Sequence, residues 1–280
     1  MGELLAAREH LEWAKAAIDS AESVPHQTAA SLSLLAWDLA ILGFFDQSMK
    51  VSQQTLVWVQ GVSRPFAQAI TLQFTSEFDQ LRRDEQAAWE HSGSALDLGA
   101  EYGFPGPTSS ARVIHGWARS CRGETESGIA EMRRGISDNK ATGARTPTWL
   151  LVPLLETYMR IDRTLEAEHL LGEVIATVHQ TDERMQEAEL YRLKGELSLK
   201  ARGNEQEAEA CLRRAVEIAR HQSAKWWELR ATVSLGRLLA KQGRRDEARA
   251  MLAEIYNWFT EGFDTADLKD SKALLDELNT

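Results

Sequence analysis

The sequence predicts an all-α fold, a right-handed superhelical solenoid of antiparallel helix pairs, and three observations predict it. Helix-stopping positions recur at one spacing: Gly43, Arg83, Gly123, Arg163, Gly203 and Gly243 lie 40 residues apart, each followed within three residues by a polar or acidic helix start. The 280 residues hold only 6 Pro and 18 Gly while 43% are apolar, so core material is ample and breaks are few. No segment alternates apolar and polar residues between hairpin turns, which argues against strands.

Residues 3–18 read as a second (B) helix without its first (A) partner. This half repeat over about 1–20 implies a chain that begins mid-array, as a piece of a longer protein would, with a naturally short chain as the alternative. Six pairs then follow over about residues 28–60, 65–102, 107–142, 146–181, 185–222 and 225–260, within a single repeat domain of residues 1–280. In the first pair Gly43 separates an A helix at 28–42 from a B helix at 46–59. In the second, Arg83 stands between helices at 65–81 and 84–102, so that turn must close without glycine. Gly103-Phe104-Pro105-Gly106-Pro107 forbids continuity into the third pair, 108–122 and 124–141, which turns at Gly123. Thr146-Pro147 places a hydroxyl at the N-cap and a proline at the first helical position of the fourth pair, 147–162 and 165–180, with Arg163 at its turn. The fifth pair, 185–201 and 205–222, turns at Gly203. On its B helix Ala208, Cys211, Leu212, Ala215 and Ile218 follow one face, with Glu207, Glu209, Arg213, Arg214 and Glu217 on the solvent side. The sixth pair, 225–242 and 246–258, has Gly243 for a left-handed cap and Asp246 as N-cap acceptor, with Gly236 and Ala248 where its helices cross. Residues 265–278 read as a closing cap helix within 265–279.

A net charge of −10 argues against nucleic acid, whose phosphates are held by excess Lys and Arg. The doublets Arg82-Arg83, Arg133-Arg134, Arg213-Arg214 and Arg244-Arg245 sit among acidic residues and read as helix ends and solvated faces. Cys121 and Cys211 are isolated, which gives neither a disulfide framework nor a thiolate metal site and fits a reducing cytoplasm. Residues 34–45 are the most apolar stretch, but they are too few to span a bilayer and include Asp38, and the N-terminus lacks signal-peptide order. No membrane segment is expected.

No catalytic, cofactor or metal site is expected either. The seven histidines never fall three or four residues apart, the spacing that sets two ligands on one helical face. Glu166 and His169 make one ExxH pair, where a di-iron bundle needs two and further carboxylates. There is no GxSxG elbow and no phosphate loop of the form GxxxxGK[ST].

Leu235-Gly236, Gly243, Glu247-Ala248 and Leu252 resemble a tetratricopeptide repeat (TPR), in the longer form of about 40 residues found in helical sensor arrays of bacterial signalling ATPases. Residues 188–197 (AELYRLKGEL) and 257–275, with the string Glu261–Leu268, are similar to the C-terminal region of bacterial multidomain proteins that join a class III adenylate/guanylate cyclase-like or other output module to a predicted ATPase and then to such repeats. The likeness is strongest over 185–280 and continues more loosely through 35–43 and 141–145. That string is uncommon and is not one that helix packing requires. The resemblance implies a sensor or regulatory repeat region; the absent phosphate loop and cyclase strand leave this chain without the parent ATPase or cyclase chemistry.

Recognition in such an array is expected on the A helices, which line the concave side. Counting six residues back from each turn gives a column of Trp37, Glu77, Trp117, Thr157, Leu197 and Arg237 as candidate groove residues. Its two tryptophans, with a Glu between them and an Arg at the far end, suit a partner helix, peptide or planar small molecule, although large aromatics in helical repeats more often pack between neighbouring helices. Trp58, Trp89, Trp149 and Trp258 read as repeat-to-repeat packing. Trp226-Trp227 lie about 100° apart on a helix, so both are buried only if that end is covered on two sides; otherwise one is exposed or in an interface.

Three functions follow. The first is a non-catalytic scaffold that binds a protein or peptide partner, or neighbouring domains of a parent protein. The second is a small-molecule sensor with an inducer in its groove, as in maltose-type transcription activators. The third is homo-oligomerisation through the N-terminal half repeat, whose edge would be Leu4, Leu5, Leu11 and Trp13. A sensor needs a pocket of several hundred Å³ with convergent polar groups, a scaffold an apolar patch.

Overall fold

Left-handed residues set where the helices end. The computed structural model describes residues 8–9, 12, 26–61, 64–143 and 145–279. Over these run α1 (His26–Leu42), α2 (Phe45–Gln60), α3 (Pro65–Leu81), α4 (Glu85–Tyr102), α5 (Pro105–Cys121), α6 (Thr125–Ala141), α7 (Val152–Arg160), α8 (Thr164–Thr181), α9 (Glu187–Arg202), α10 (Glu205–His221), α11 (Lys225–Lys241), α12 (Arg245–Tyr256) and α13 (Ala266–Asn279). A short 3-10 helix, Thr148–Leu150, precedes α7. The expected all-α, TPR-like fold is the one found: helix pairs follow one another and no strand occurs among the described residues. Partners within a pair pack together (α3 on α4, α5 on α6, α9 on α10, α11 on α12), and A helices pack side by side (α3 on α5, α9 on α11). The half repeat expected over 1–20, with its Leu4, Leu5, Leu11 and Trp13, lies outside the described residues apart from 8, 9 and 12.

Gly43, Gly123, Gly203 and Gly243 all take positive φ at the stop positions. Arg83 does the same at 62°, but in the fourth pair the left-handed residue is Asp162 (φ 60°), one before the expected Arg163. The closure is shared. The amide after the left-handed residue reaches a carbonyl five residues back, Asp84 to Asp79 and Arg163 to Tyr158 at 2.9 Å each and Arg244 to Leu239 at 2.8 Å.

Most helix starts fall within two residues of the sequence reading; two are displaced by three residues or more and one expected N-cap is not used. Pro105 and Pro107 fall in the first turn of α5, where a missing N–H costs nothing, so that helix begins at Pro105 rather than 108. Pro153 lies inside the expected helix 147–162, and its ring would strike the carbonyl four residues back; the chain forms the 3-10 turn first and α7 begins at Val152. Asp246 is exposed and pairs with Arg249 at 3.0 Å, while Arg244 occupies the N-cap of α12. The Thr146 hydroxyl, expected as a cap, is buried without a partner, and the side-chain caps are elsewhere: Asp84 caps α4 by accepting from Ala87 N–H (3.0 Å), and Asn204 caps α10 by accepting from Glu207 N–H (3.1 Å).

The described residues form two compact units, one of residues 26–39 and Gln47–Thr157, the other of Ala40–Asp46 and residues 158–279. In the first, small residues bring α5 and α6 into backbone contact: a Cβ on Gly116 would lie 2.7 Å from the Gly128 carbonyl oxygen and 2.8 Å from the Met132 nitrogen. Trp89 of α4 stacks on His115 of α5 with centroids 3.8 Å apart, and the Arg122 guanidinium lies 4.8 Å from the centre of the Trp89 ring. Trp58 packs on Ala29, Val59 and Ala67.

In the second unit Trp226 and Trp227 are both buried, because that end is indeed covered on two sides. Phe45 packs on Trp226 at 3.8 Å with Phe259 edge-on at 6.4 Å, while Arg230 lies over Trp227 at 5.7 Å. Gly43 fits against Trp258 and Phe259, although Trp258 itself stays partly exposed. The string Glu261–Leu268, which helix packing alone does not call for, has packing reasons here. Glu261 accepts from Asp46 N–H (3.1 Å) at the start of α2, Gly262 (φ 75°) leaves room for Phe45, and Thr265 leads into α13. Close crossing occurs at Gly195 against Leu212, whereas a Cβ on Gly236 would meet only Leu274 of α13, at 3.6 Å.

Gly116→Ala is expected to destabilise the fold by roughly 1–3 kcal/mol through overpacking, although alanine is the better helix former. Urea unfolding measures this; a neutral or stabilising effect would mean that α5 and α6 separate without penalty.

Candidate functional site

A side chain on an A helix has two destinations, the neighbouring A helix or the open face of the array, and burial separates them. In the first unit Trp37, Glu77, Trp117 and Thr157 all have at most 8% of their surface exposed. Trp37 of α1 meets Trp149 edge-on at 6.2 Å, and its indole N–H has no hydrogen-bond partner. Thr157 spends its hydroxyl on the Pro153 carbonyl of its own helix at 2.8 Å. Glu77 of α3 accepts from the Gln73 amide at 2.9 Å through Oε1, while Oε2 is buried without a partner. Burial pushes its pKa from 4.5 to about 8 against the lowering effect of Gln73, so Glu77 is protonated at neutral pH. Asp38, buried beside Trp37 in sequence, is pushed by burial from 3.8 to about 7.

The second unit treats buried charge differently. Leu197 of α9 is buried and lines a cavity. Apart from that cavity, α9, α11 and α13 carry a ladder of ion pairs that sequence reasoning missed, because its members are far apart in the chain. Arg192 grips Glu189 through two hydrogen bonds (2.6 and 2.8 Å) and reaches Glu196 at 2.6 Å. Arg230 of α11 lies 3.0 Å from Glu189 and 3.7 Å from Asp267 of α13. The Ser234 hydroxyl donates to Glu196 at 2.7 Å. Burial raises the Glu196 pKa, but Arg192 and Ser234 outweigh it and leave the carboxylate below its usual range.

Arg237 continues this row. Positions 230, 234 and 237 are four and three residues apart, hence on one face of α11. Unlike the other five column residues Arg237 is exposed, and its guanidinium has no hydrogen-bond or ion-pair partner among the described residues. The signal for the ladder was the spacing Glu189, Arg192, Glu196 on one helix opposite Arg230 and Ser234 on another, readable only once the register of α9 against α11 is known.

Among the described residues no group of three or more His, Cys, Asp or Glu is placed to hold a metal, and no helix is long and apolar enough to cross a membrane. Neither a protein family nor a curated protein sequence matches the chain. Solved structures do. A Rap protein complexed with competence and sporulation factor aligns with a TM-score of 0.65 at 14% identity, over 99% of this chain and 83% of that one. A tetratricopeptide repeat protein from Parabacteroides merdae aligns with a TM-score of 0.55 at 13% identity, over 100% of this chain and 93% of that one. At these identities the likeness is one of fold, the TPR-like helical repeat.

Because Asp38 and Glu77 hold protons in the fold that the unfolded chain releases, stability falls as pH rises from the usual carboxylate range, 4.5 for Glu77, towards about 8. Glu77→Gln is neutral at every pH and removes its share. Its Tm advantage over wild type, read by calorimetry, is expected to be larger at about pH 9 than at about pH 4. An equal difference at both would mean that Glu77 is ionised in the fold.

Proposed function

We propose that this chain is a non-catalytic interaction scaffold that holds a protein or peptide partner, or neighbouring domains of a parent protein, on its A-helix faces. In this reading it is the regulatory repeat region of a bacterial, cytoplasmic signalling protein. The observation that carries the proposal is the α11 row. Arg230 and Ser234 are fixed by ion pairs and hydrogen bonds to α9 and α13, and Arg237 next to them presents an uncommitted guanidinium. An arginine without a partner takes a carboxylate with two parallel hydrogen bonds. The Rap neighbour solved with competence and sporulation factor supports the same use of the fold. Self-association through the N-terminal half repeat rests on residues outside those described.

The chain, immobilised, is to be exposed to lysate of its source cells beside an Arg237→Glu variant with the same melting curve. A protein retained by wild type and reduced about tenfold or more on the variant supports the reading; such a loss corresponds to about 1.4 kcal/mol or more at one contact. Equal retention by both would remove the α11 row from recognition.

A further inference from the structure

The cavity beside Leu197 measures about 270 Å³ and lies between α8, α9 and α10, away from the α11 row. We infer that it binds a free aliphatic α-amino acid. Its walls are built by helical spacing: Glu168, Leu171, Gly172 and Ile175 follow one face of α8, and Lys194, Leu197 and Ser198 one face of α9.

Gly172 is the first sign that the space is kept open. A glycine in mid-helix weakens the helix relative to alanine and is retained where something needs the room. At Gly195 that need is the approach of Leu212, but a Cβ on Gly172 would meet nothing within 4 Å, and its φ is not left-handed. Gly172 is exposed and neither packing nor backbone conformation calls for a glycine there; its place is at the cavity, where a side chain would narrow the space.

Lys194 is the second sign. Its ammonium has no hydrogen-bond or ion-pair partner among the described residues, although most charged groups around it are paired. A cation left uncommitted over a cavity takes an anion there. Opposite in charge stands Glu207, held in place by the Ser198 hydroxyl (2.8 Å) and the Asn204 amide (3.1 Å), with Glu168 contributing a second carboxylate. Leu171, Ile175 and Leu197 supply an apolar floor. A carboxylate for Lys194, an ammonium for the glutamates and a short hydrocarbon for the floor together describe a zwitterionic aliphatic amino acid. The volume sits at the lower end of small-ligand pockets, which suits a ligand of that size.

Titration calorimetry of the whole chain with L-leucine, L-valine, 4-methylpentanoate, isopentylamine and N-acetyl-L-leucine tests this. Saturable one-to-one binding of leucine or valine is expected, with isopentylamine, which lacks the carboxylate, and 4-methylpentanoate, which lacks the ammonium, each about tenfold weaker or worse. Lys194→Met and Gly172→Phe should each weaken leucine binding about tenfold or more, and Lys194→Arg should restore part of it. Circular dichroism checks that each variant is folded, and Lys194→Met decides the matter where Gly172→Phe does not fold. No saturable heat with either amino acid, or unchanged binding by Lys194→Met, overturns the inference. Binding of N-acetyl-L-leucine as tight as that of leucine also overturns it, by assigning the cavity to a peptide carboxy-terminus. Failure here leaves the scaffold reading standing, because that reading depends on Arg237.

Discussion

The structure depends on one backbone constraint: at every junction but that of α2 with α3, one helix reverses into the next through a residue in the left-handed region. Eleven described residues do so, seven glycines and Arg83, Asp162, Asp182 and Ser223. For a residue with a Cβ that conformation costs on the order of 1–2 kcal/mol, a strain that the packing of two helices must offset. The return is a closed turn in which the orphan carbonyls of the ending helix find amides. Everything else follows from the resulting register. It brings Gly116 against Gly128, places Arg230 opposite Glu189 and leaves Gly172 over empty space.

This constraint explains why the fold was legible in the sequence and where it was not. Glycine shows a left-handed turn directly, so Gly43, Gly123, Gly203 and Gly243 announced the 40-residue period. Non-glycine turns carry no such mark. Arg163 was taken for the stop because it lay on the count, whereas Asp162 bends, aspartate being among the residues that enter this region more readily. Pro153 was visible, but a count of turns gave it no weight against a continuous helix. Trp226-Trp227 set a condition, cover on two sides, without saying what supplies it; Phe45, far away in sequence, does so for Trp226.

The site was less legible, for a geometric reason. Six residues before the turn is a position on a helix, not a direction in space. In the first unit that position faces neighbouring helices and buries Trp37, Glu77, Trp117 and Thr157; on α11 it faces solvent at Arg237. Burial of an A-helix side chain is decided by whether the next pair lies over it, which depends on the packing angle between pairs rather than on composition. The ladder of Glu189, Arg192, Glu196 and Arg230 shows the same limit, since its geometry exists only after α9 and α11 are side by side.

The two units also answer one problem in opposite ways. Buried carboxyl groups must lose their charge or gain a partner, because neither water nor low-dielectric protein relieves a lone ion in the interior. Glu77 loses it and Asp38 is pushed the same way, both held above the usual range by burial. Glu196 keeps it, because Arg192 and Ser234 are within hydrogen-bond reach. An ion-paired row costs more to assemble, and a helix pair gains nothing from it that leucine would not supply; what it adds is direction. The carboxylates of Glu189 and Glu196 are taken up by Arg192, Arg230 and Ser234, so the neighbouring Arg237 is left without an acceptor among the described residues.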